Sequence, residues 1–214
     1  PPGDRRELDG PEPGPAMTEV EPTSLTDTPW DEMARAAQRA ADAPGPEDAV
    51  REIVHCALRV TGDGEAHGRP GALKPGERHF HVGGIFMVSP DAASHFLIAE
   101  WGFPPEQHRL YYPLDTGHPG WVWKNEQALI LENTDDHADF KQILKSARMG
   151  SAIYAPMIWQ GVFMGHMICA AQARNTYKPA DLVRLQTLAA MAMGLYMAKS
   201  GPGMLENLWR EATK

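Results

Sequence analysis

The stretch SAIYAPMIWQGVFMGHMICAA, residues 151–171, decides how this chain folds. It holds two apolar runs, Ser151–Trp159 and Val162–Ala171, which are separated only by Gln160-Gly161. Apolar runs of this length joined by a two-residue linker that contains glycine are typical of a β-hairpin. Because a hairpin pairs its strands antiparallel, the sequence predicts an antiparallel sheet built around this segment.

A second hairpin is predicted upstream. The runs His79–Val88 and Ser94–Trp101 flank the tetrad Ser89-Pro90-Asp91-Ala92, whose residue types favour a tight turn. A turn centred on this tetrad would place His95 opposite Phe86. Residues 82–88 are apolar apart from glycine, which predicts a strand covered on both faces.

Helices are predicted at both ends of the chain. The sequence Thr28-Pro29-Trp30-Asp31 favours a helix start, with Thr28 as N-cap and Pro29 at the first helical position. Further helical segments and one short strand follow from the spacing of apolar residues. They are helices at 47–60 and 179–199, the latter ended by Gly201-Pro202-Gly203, an amphipathic tail at 204–212, short helices near 105–111, 120–125 and 138–147, and a strand at 128–132. The predicted fold class is α+β: a central antiparallel sheet of about six strands with the terminal helices on one face.

The charge is concentrated at the N-terminus. Residues 1–48 carry a net charge of −8, whereas residues 49–214 are neutral. A neutral body lacks the basic surface that binding to a phosphate backbone requires, so neither nucleic acid nor an anionic membrane is an expected partner. The predicted organisation is a disordered acidic, proline-rich arm at 1–27, an N-terminal helix at 28–45, the main domain at 46–200 and a tail helix at 201–214.

Membrane-spanning, disulfide and metal chemistry are not favoured. The longest nearly uninterrupted apolar run, Leu188–Ala198, is about half of the ~20 residues that a membrane span needs. Two cysteines cannot build a disulfide framework, and they favour a reducing compartment, which predicts a cytoplasmic protein. His79 and His81 share one strand face but have no predicted third ligand, so we expect no metal and no cofactor.

The chain resembles a GAF domain, a small-molecule-binding sensor fold, over about residues 46–200. The resemblance depends on the order and spacing of several motifs. These are Phe86–Asp91 followed by His95–Ala99, the run Pro113–Val122 with its two glycines, Ala128–Asp135, Gly150–Met157 continued by Gly161 and Gly165, and Asp181–Leu185. The resemblance implies a six-stranded antiparallel sheet with helices on one face and a ligand pocket under loops on the other. It also implies a homodimer formed through the terminal helices.

The candidate ligand site centres on residues 110–125, which are rich in aromatic side chains. Six residues are predicted to contact a ligand: Tyr111, Tyr112, His118, Trp121, Trp123 and, from the central hairpin, Tyr154. If a helix begins near Pro119, its unpaired amides favour a small anion or a carboxylate. Each of these residues has an alternative role in core packing. Because Tyr111 and Tyr112 are adjacent on an extended segment, only one of them can face the core.

The function predicted from these features is a regulatory protein that senses a small molecule. The alternative is a non-catalytic interaction subunit of a larger complex, with its pocket filled by its own aromatic side chains and a protein as its partner. An enzyme is not favoured. The GAF family includes the free methionine-(R)-sulfoxide reductase, which needs cysteines in its pocket loops, but the matching residues 113–140 contain none.

Overall fold

The computed structural model describes residues 28–137 and 148–214. The predicted acidic arm at 1–27 and the predicted helix at 138–147 lie outside the described residues.

Five α-helices lie within the part of the chain that the structure describes. They are α1 (Pro29–Asp42), α2 (Pro46–Val60), α3 (Gly117–Asn125), α4 (Pro179–Ala198) and α5 (Gly201–Ala212). The predicted start of α1 is confirmed, because Thr28 and Asp31 form a reciprocal capping box ahead of the first turn. The helix predicted at 105–111 is wrong beyond a single 3-10 turn, Pro105–Gln107, because Arg109 adopts a positive φ of 56° and a strand follows.

Six strands form one antiparallel sheet. They are β1 (His81–Val88), β2 (Ser94–Trp101), β3 (Tyr111–Pro113), β4 (Leu129–Leu131), β5 (Ser151–Trp159) and β6 (Val162–Ala171). Their order across the sheet is β3-β2-β1-β6-β5-β4. The hairpin that residues 151–171 predict is therefore confirmed, and β6 pairs with both β1 and β5 in the middle of the sheet.

The predicted register of the first hairpin is wrong by two residues. His95 lies opposite Val88, and Phe86 lies opposite Leu97. The turn over Ser89–Ala92 does form, but Ala92 then adopts a positive φ of 56°, so the closing pair of the loop is Ser89 with Ser94. Because side chains alternate with a period of two, this shift leaves the pairs at Phe86–Val88 on their predicted faces, and a bulge between Ile85 and Phe86 adds one more residue of shift beyond it.

Side chains from the two faces of the sheet form two separate cores. In the helix-side core, α1, α2, α4 and α5 pack against one face of the sheet. Both faces of β1 are buried over residues 82–87, as the apolar composition of this strand predicts. The opposite face carries a second core of aliphatic and aromatic side chains, contributed by the sheet and by α3. This arrangement confirms the α+β fold with helices on one face.

The last helix begins earlier than expected. Gly201-Pro202-Gly203 does not end the helical region but forms the first turn of α5, and the break lies at Ser200, where φ is 62°. A side chain at position 201 would meet the ring of Tyr196 at 2.3 Å, so glycine allows the two helices to pack closely. Among the helices of residues 28–137 and 148–214, none has the length and apolar character needed to cross a bilayer.

Candidate functional site

The second core encloses a small cavity between the sheet and α3. Its volume is about 20 Å³, which is the space that one water molecule needs. Aromatic and apolar side chains from several elements line it: Phe86, Phe103, Tyr112, Pro119, Met149, Tyr154 and Ile168. An apolar lining with a few polar groups is typical of small-molecule sites, whose volumes are usually about 300–1,000 Å³, so this cavity has the lining of such a site but not its size.

The segment that leads into α3 covers this cavity. It is held down at Leu114, whose amide donates to the Ala93 carbonyl at 3.1 Å. The turn then depends on two glycines. Gly117 has a φ of 54°, and a side chain at Gly120 would lie 2.5 Å from the carbonyl carbon of Asp115. These glycines allow the first turn of α3 to pack tightly over the preceding loop, with Pro119 against the cavity.

Three of the six predicted ligand residues lie on the cavity side of the sheet. Tyr112 and Tyr154 both line the cavity and are almost fully buried, with exposed fractions of 9% and 1%. Trp123 is half-buried and packs against the same core from α3. Of the adjacent tyrosines, Tyr112 is thus the one that faces this core.

The other three predicted residues are not brought together. Tyr111 lies on the helix side of the sheet, 48% exposed, with its ring 5.2 Å from that of Trp209 in α5. Trp121 is 41% exposed and does not line the cavity. His118 lies in the first turn of α3, where its ring contacts that of His137 at 5.5 Å. The alternation of side chains separates Tyr111 from Tyr112, and the helical turn carries Trp121 outward.

Two histidines that the sequence did not single out lie in the second core. His95 on β2 and His166 on β6 are completely buried, and their ring centroids are 4.8 Å apart in an edge-to-face arrangement. Burial lowers the pKa of His95 to about 4 and that of His166 well below its usual value. The available signal was the position of each histidine on the cavity face of an otherwise apolar strand, but it required the strand order to connect them.

A buried arginine ties together the loops at one end of the sheet. Arg174 donates from Nε to Asp135 at 3.0 Å and from Nη2 to Glu77 at 3.0 Å. Lys74 also pairs with Asp135, at 2.7 Å. Hydrogen bonds from Lys74 to Asp135 and from Arg174 to Glu77 hold the pKa of each carboxyl below its ordinary range. Arg148 also approaches Asp135, at 3.5 Å, so this cluster of ion pairs holds the loops together and has a structural role.

A row of three histidines lies near the start of β1. The ring of His79 stacks on that of His67 at 4.2 Å and meets that of His81 edge to face at 4.5 Å. The structure thus brings in a third histidine that the sequence did not predict. Within residues 28–137 and 148–214, however, no three histidine, cysteine or acidic residues are arranged to hold a metal ion.

Neither cysteine lies at the cavity. Cys56 on α2 and Cys169 on β6 are both free, fully buried and part of the helix-side core. Burial raises the pKa of the Cys56 thiol to about 11 and that of the Cys169 thiol to about 12. At neutral pH both are thiols, which are poor nucleophiles compared with thiolates.

Comparison with solved structures identifies close matches to this fold. The GAF domain of a phosphoenolpyruvate-protein phosphotransferase from Acinetobacter superimposes with a TM-score of 0.66 at 18% identity, covering 83% of this chain and 97% of that chain. The corresponding domain from Coxiella burnetii gives 0.65 at 16% identity, with 83% and 97% covered. Free methionine-R-sulfoxide reductase from Neisseria meningitidis, solved with its substrate, gives 0.63 at 17% identity, with 81% and 91% covered.

At these identities the structural likeness shows the fold alone, and it includes both GAF domains of phosphotransferases and GAF-fold reductases. No curated protein matches the sequence. The sequence profile of the GAF domain matches residues 55–194, which is well over half of the chain. On the fold and on this match, the chain belongs to the GAF domain family.

Proposed function

We propose that this protein is a regulatory sensor that binds a small molecule in the cavity between the sheet and α3. The observation that carries the proposal is the second core itself. It gathers Tyr112 and Tyr154 with other aromatic side chains around an internal cavity on the face that the helical layer leaves uncovered.

We propose that an outer part of the ligand, a small anion or a carboxylate, is held at the start of α3. The first turn of α3 carries Gly117, whose lack of a side chain allows a ligand to approach the backbone closely. It also carries His118, whose ring can add a hydrogen bond. The positive end of the helix dipole lies there as well. Trp123, half-buried against the same core, would border the ligand.

The proposed role is binding without catalysis. Thiol chemistry of the kind that methionine sulfoxide reduction uses requires a reactive thiolate beside the substrate. Here the two cysteines of the chain lie on the other face of the sheet, in the helix-side core. Free, buried cysteines also suit a reducing compartment, and we propose a cytoplasmic location.

The test is a thermal-shift and calorimetric screen of the full chain against small carboxylates, inorganic anions and small amides. A ligand that binds only the folded state raises the melting temperature according to its concentration relative to Kd. Tyr154→Phe is expected to weaken binding at least tenfold. The matched control is Tyr196→Phe, because Tyr196 is an equally buried tyrosine in the helix-side core. Equal binding by both variants would contradict the proposed site.

A second candidate function is that of a non-catalytic interaction subunit. The observation that favours it is the small cavity volume of about 20 Å³, because the aromatic side chains fill most of the site themselves. An open groove of about 570 Å³ also lies beside α5, bordered by Arg109, Tyr111 and Leu208. On this alternative the partner, a second copy of the chain in the simplest case, docks on the terminal helices.

Sedimentation analysis separates the two candidates. A stable dimer of the wild type that Tyr111→Ala dissociates, combined with a ligand screen that gives no shift, would favour the interaction subunit. A monomer that gives a saturable shift with one probe, lost in Tyr154→Phe, would favour the sensor.

A further inference from the structure

We infer that His95 and His166 form a polar anchor behind the inner wall of the cavity, which receives an uncharged carboxamide-type group of the ligand. This inference rests on the proposed function, because it assumes that a ligand enters the cavity. It adds the chemical class of the group that is most deeply buried, and the proposed anion at α3 stays at the outer end.

The first observation is that these two side chains lack partners. Nε2 of His95 lies 3.1 Å from the carbonyl oxygen of Leu114, so Nε2 carries the proton and donates it. Nδ1 of His95 is therefore an acceptor, and it is buried with no hydrogen-bond partner among residues 28–137 and 148–214. Both ring nitrogens of His166 are also buried, with no hydrogen-bond partner among the same described residues. Buried polar atoms are nearly always hydrogen-bonded, so three together in one core indicate a missing partner.

The second observation is that the pair lies directly behind the cavity wall. The ring of Phe86 stacks on that of His166 at 5.2 Å. Tyr112 contacts His95 at 5.2 Å, and Tyr154 contacts His166 at 6.0 Å. Phe86, Tyr112 and Tyr154 all line the cavity, so these rings separate it from the histidines, and the inferred site requires them to move aside when a ligand binds.

The set of available hydrogen bonds defines the class of ligand. A neutral His95 offers one lone pair, at Nδ1, and a neutral His166 offers one lone pair and one N–H. The two N–H groups of a primary carboxamide can donate to the two lone pairs, one on each ring, while the N–H of His166 points away from its own lone pair and is left to another acceptor. A carboxylate has no proton to give to the two lone pairs.

A charged group beside His95 and His166 would also have no opposite charge among the rings that face the pair. The rings that face the pair come from β1, β3, β5 and β6, namely Phe86, Tyr112, Tyr154 and Phe163, and none of them is charged. Burying a metal cation or an anion here would leave its charge unpaired, which is costly in a low-dielectric interior. The surroundings therefore favour a neutral group.

The test observes the histidine rings directly. Side-chain ¹⁵N resonances of the full chain are recorded at pH 7 with acetamide, with acetate of the same size and shape, and with zinc ion alone. His166 is assigned from the resonance that disappears in His166→Phe. We expect acetamide to move the ring resonances of His95 and His166 saturably and to bind at least tenfold more tightly than acetate does at this position.

The variants provide a second measurement. His166→Phe keeps a flat ring against Phe86 and removes two unpartnered nitrogens, so it should fold at least as stably as the wild type while losing acetamide binding. The matched control is His55→Phe, because the Nε2 atom of His55 is also buried and unpartnered but lies on α2. This control should keep acetamide binding.

Different failures point to different errors. Acetate or zinc moving these resonances as far as acetamide would overturn the carboxamide anchor. Ligand binding that perturbs Tyr154 but neither histidine would overturn the anchor and leave the sensor function standing. If no compound in either screen binds the folded protein, both the anchor and the sensor function are overturned.

Discussion

Acidification provides a quantitative test of the buried histidine pair. Well above pH 6.5, histidine is neutral in both the folded and the unfolded chain, so the pair does not affect the pH dependence of stability. As the pH falls below 6.5, the unfolded chain binds protons that buried His95 and His166 cannot accept. Their folded-state pKa values are lowered by burial, to about 4 for His95 and well below the usual value for His166. The free energy of unfolding must therefore fall as the pH falls through this window.

The size of the effect follows from the usual pKa of histidine. Between pH 7 and pH 5, a histidine that stays neutral in the folded state lowers the free energy of unfolding by about 2 kcal/mol. Two such residues give about 4 kcal/mol. In His166→Phe only His95 remains, so about 2 kcal/mol of this loss should disappear. Carboxylates with lowered pKa values, such as Asp135, also contribute to acid sensitivity, but equally in the wild type and in the variant.

The assay is urea denaturation at pH 7 and at pH 5, with the difference in the free energy of unfolding compared between proteins. The control is His108→Gln, which removes a histidine from the exposed surface. We expect the control to retain the full wild-type loss. An equal loss in His166→Phe and the wild type would refute the conclusion that the folded state keeps this ring neutral.

Three further predictions concern packing, capping and reactivity. Gly165→Ala should lower the free energy of unfolding by about 1–3 kcal/mol, because its Cβ would lie 2.2 Å from a backbone carbonyl oxygen of β1. Gly194→Ala should raise it by about 0.5–1 kcal/mol, because the added Cβ meets nothing within 4 Å. Urea titration of the two variants distinguishes the signs. Thr28→Ala should remove the cap of α1 and lower the melting temperature by an amount equivalent to about 1 kcal/mol, as measured by calorimetry, and an unchanged midpoint would show that the cap contributes nothing. Cys56 and Cys169 should react with a disulfide reagent at pH 8 only as fast as the protein unfolds; a rapid phase in the native protein would contradict their burial.

The sequence predicted the strands and helices well wherever a local pattern determined them. The apolar runs around Gln160-Gly161 correctly predicted β5 and β6, and Thr28-Pro29 correctly predicted the start of α1. Local turn chemistry was less informative. The register at Ser89–Ser94 depended on the left-handed conformation of Ala92, which the residue type does not reveal.

The candidate site could be predicted only in part. Of the aromatic residues predicted at 110–125, Tyr112 lines the cavity, as does Tyr154 from the central hairpin, and their role in binding stays a prediction. The same pattern could not show that Tyr111 faces α5 or that Trp121 is largely exposed, because strand alternation and helical rotation act on each residue separately.

The sequence by itself determined the class of fold, since apolar periodicity and turn residues are local properties of the chain. Only the tertiary structure decided which distant residues meet. His95 and His166 are 71 positions apart in the sequence, and they become neighbours because β1 pairs with β2 on one side and with β6 on the other. Such a contact depends on strand order and on burial, and the neighbouring residues in the sequence determine neither of them.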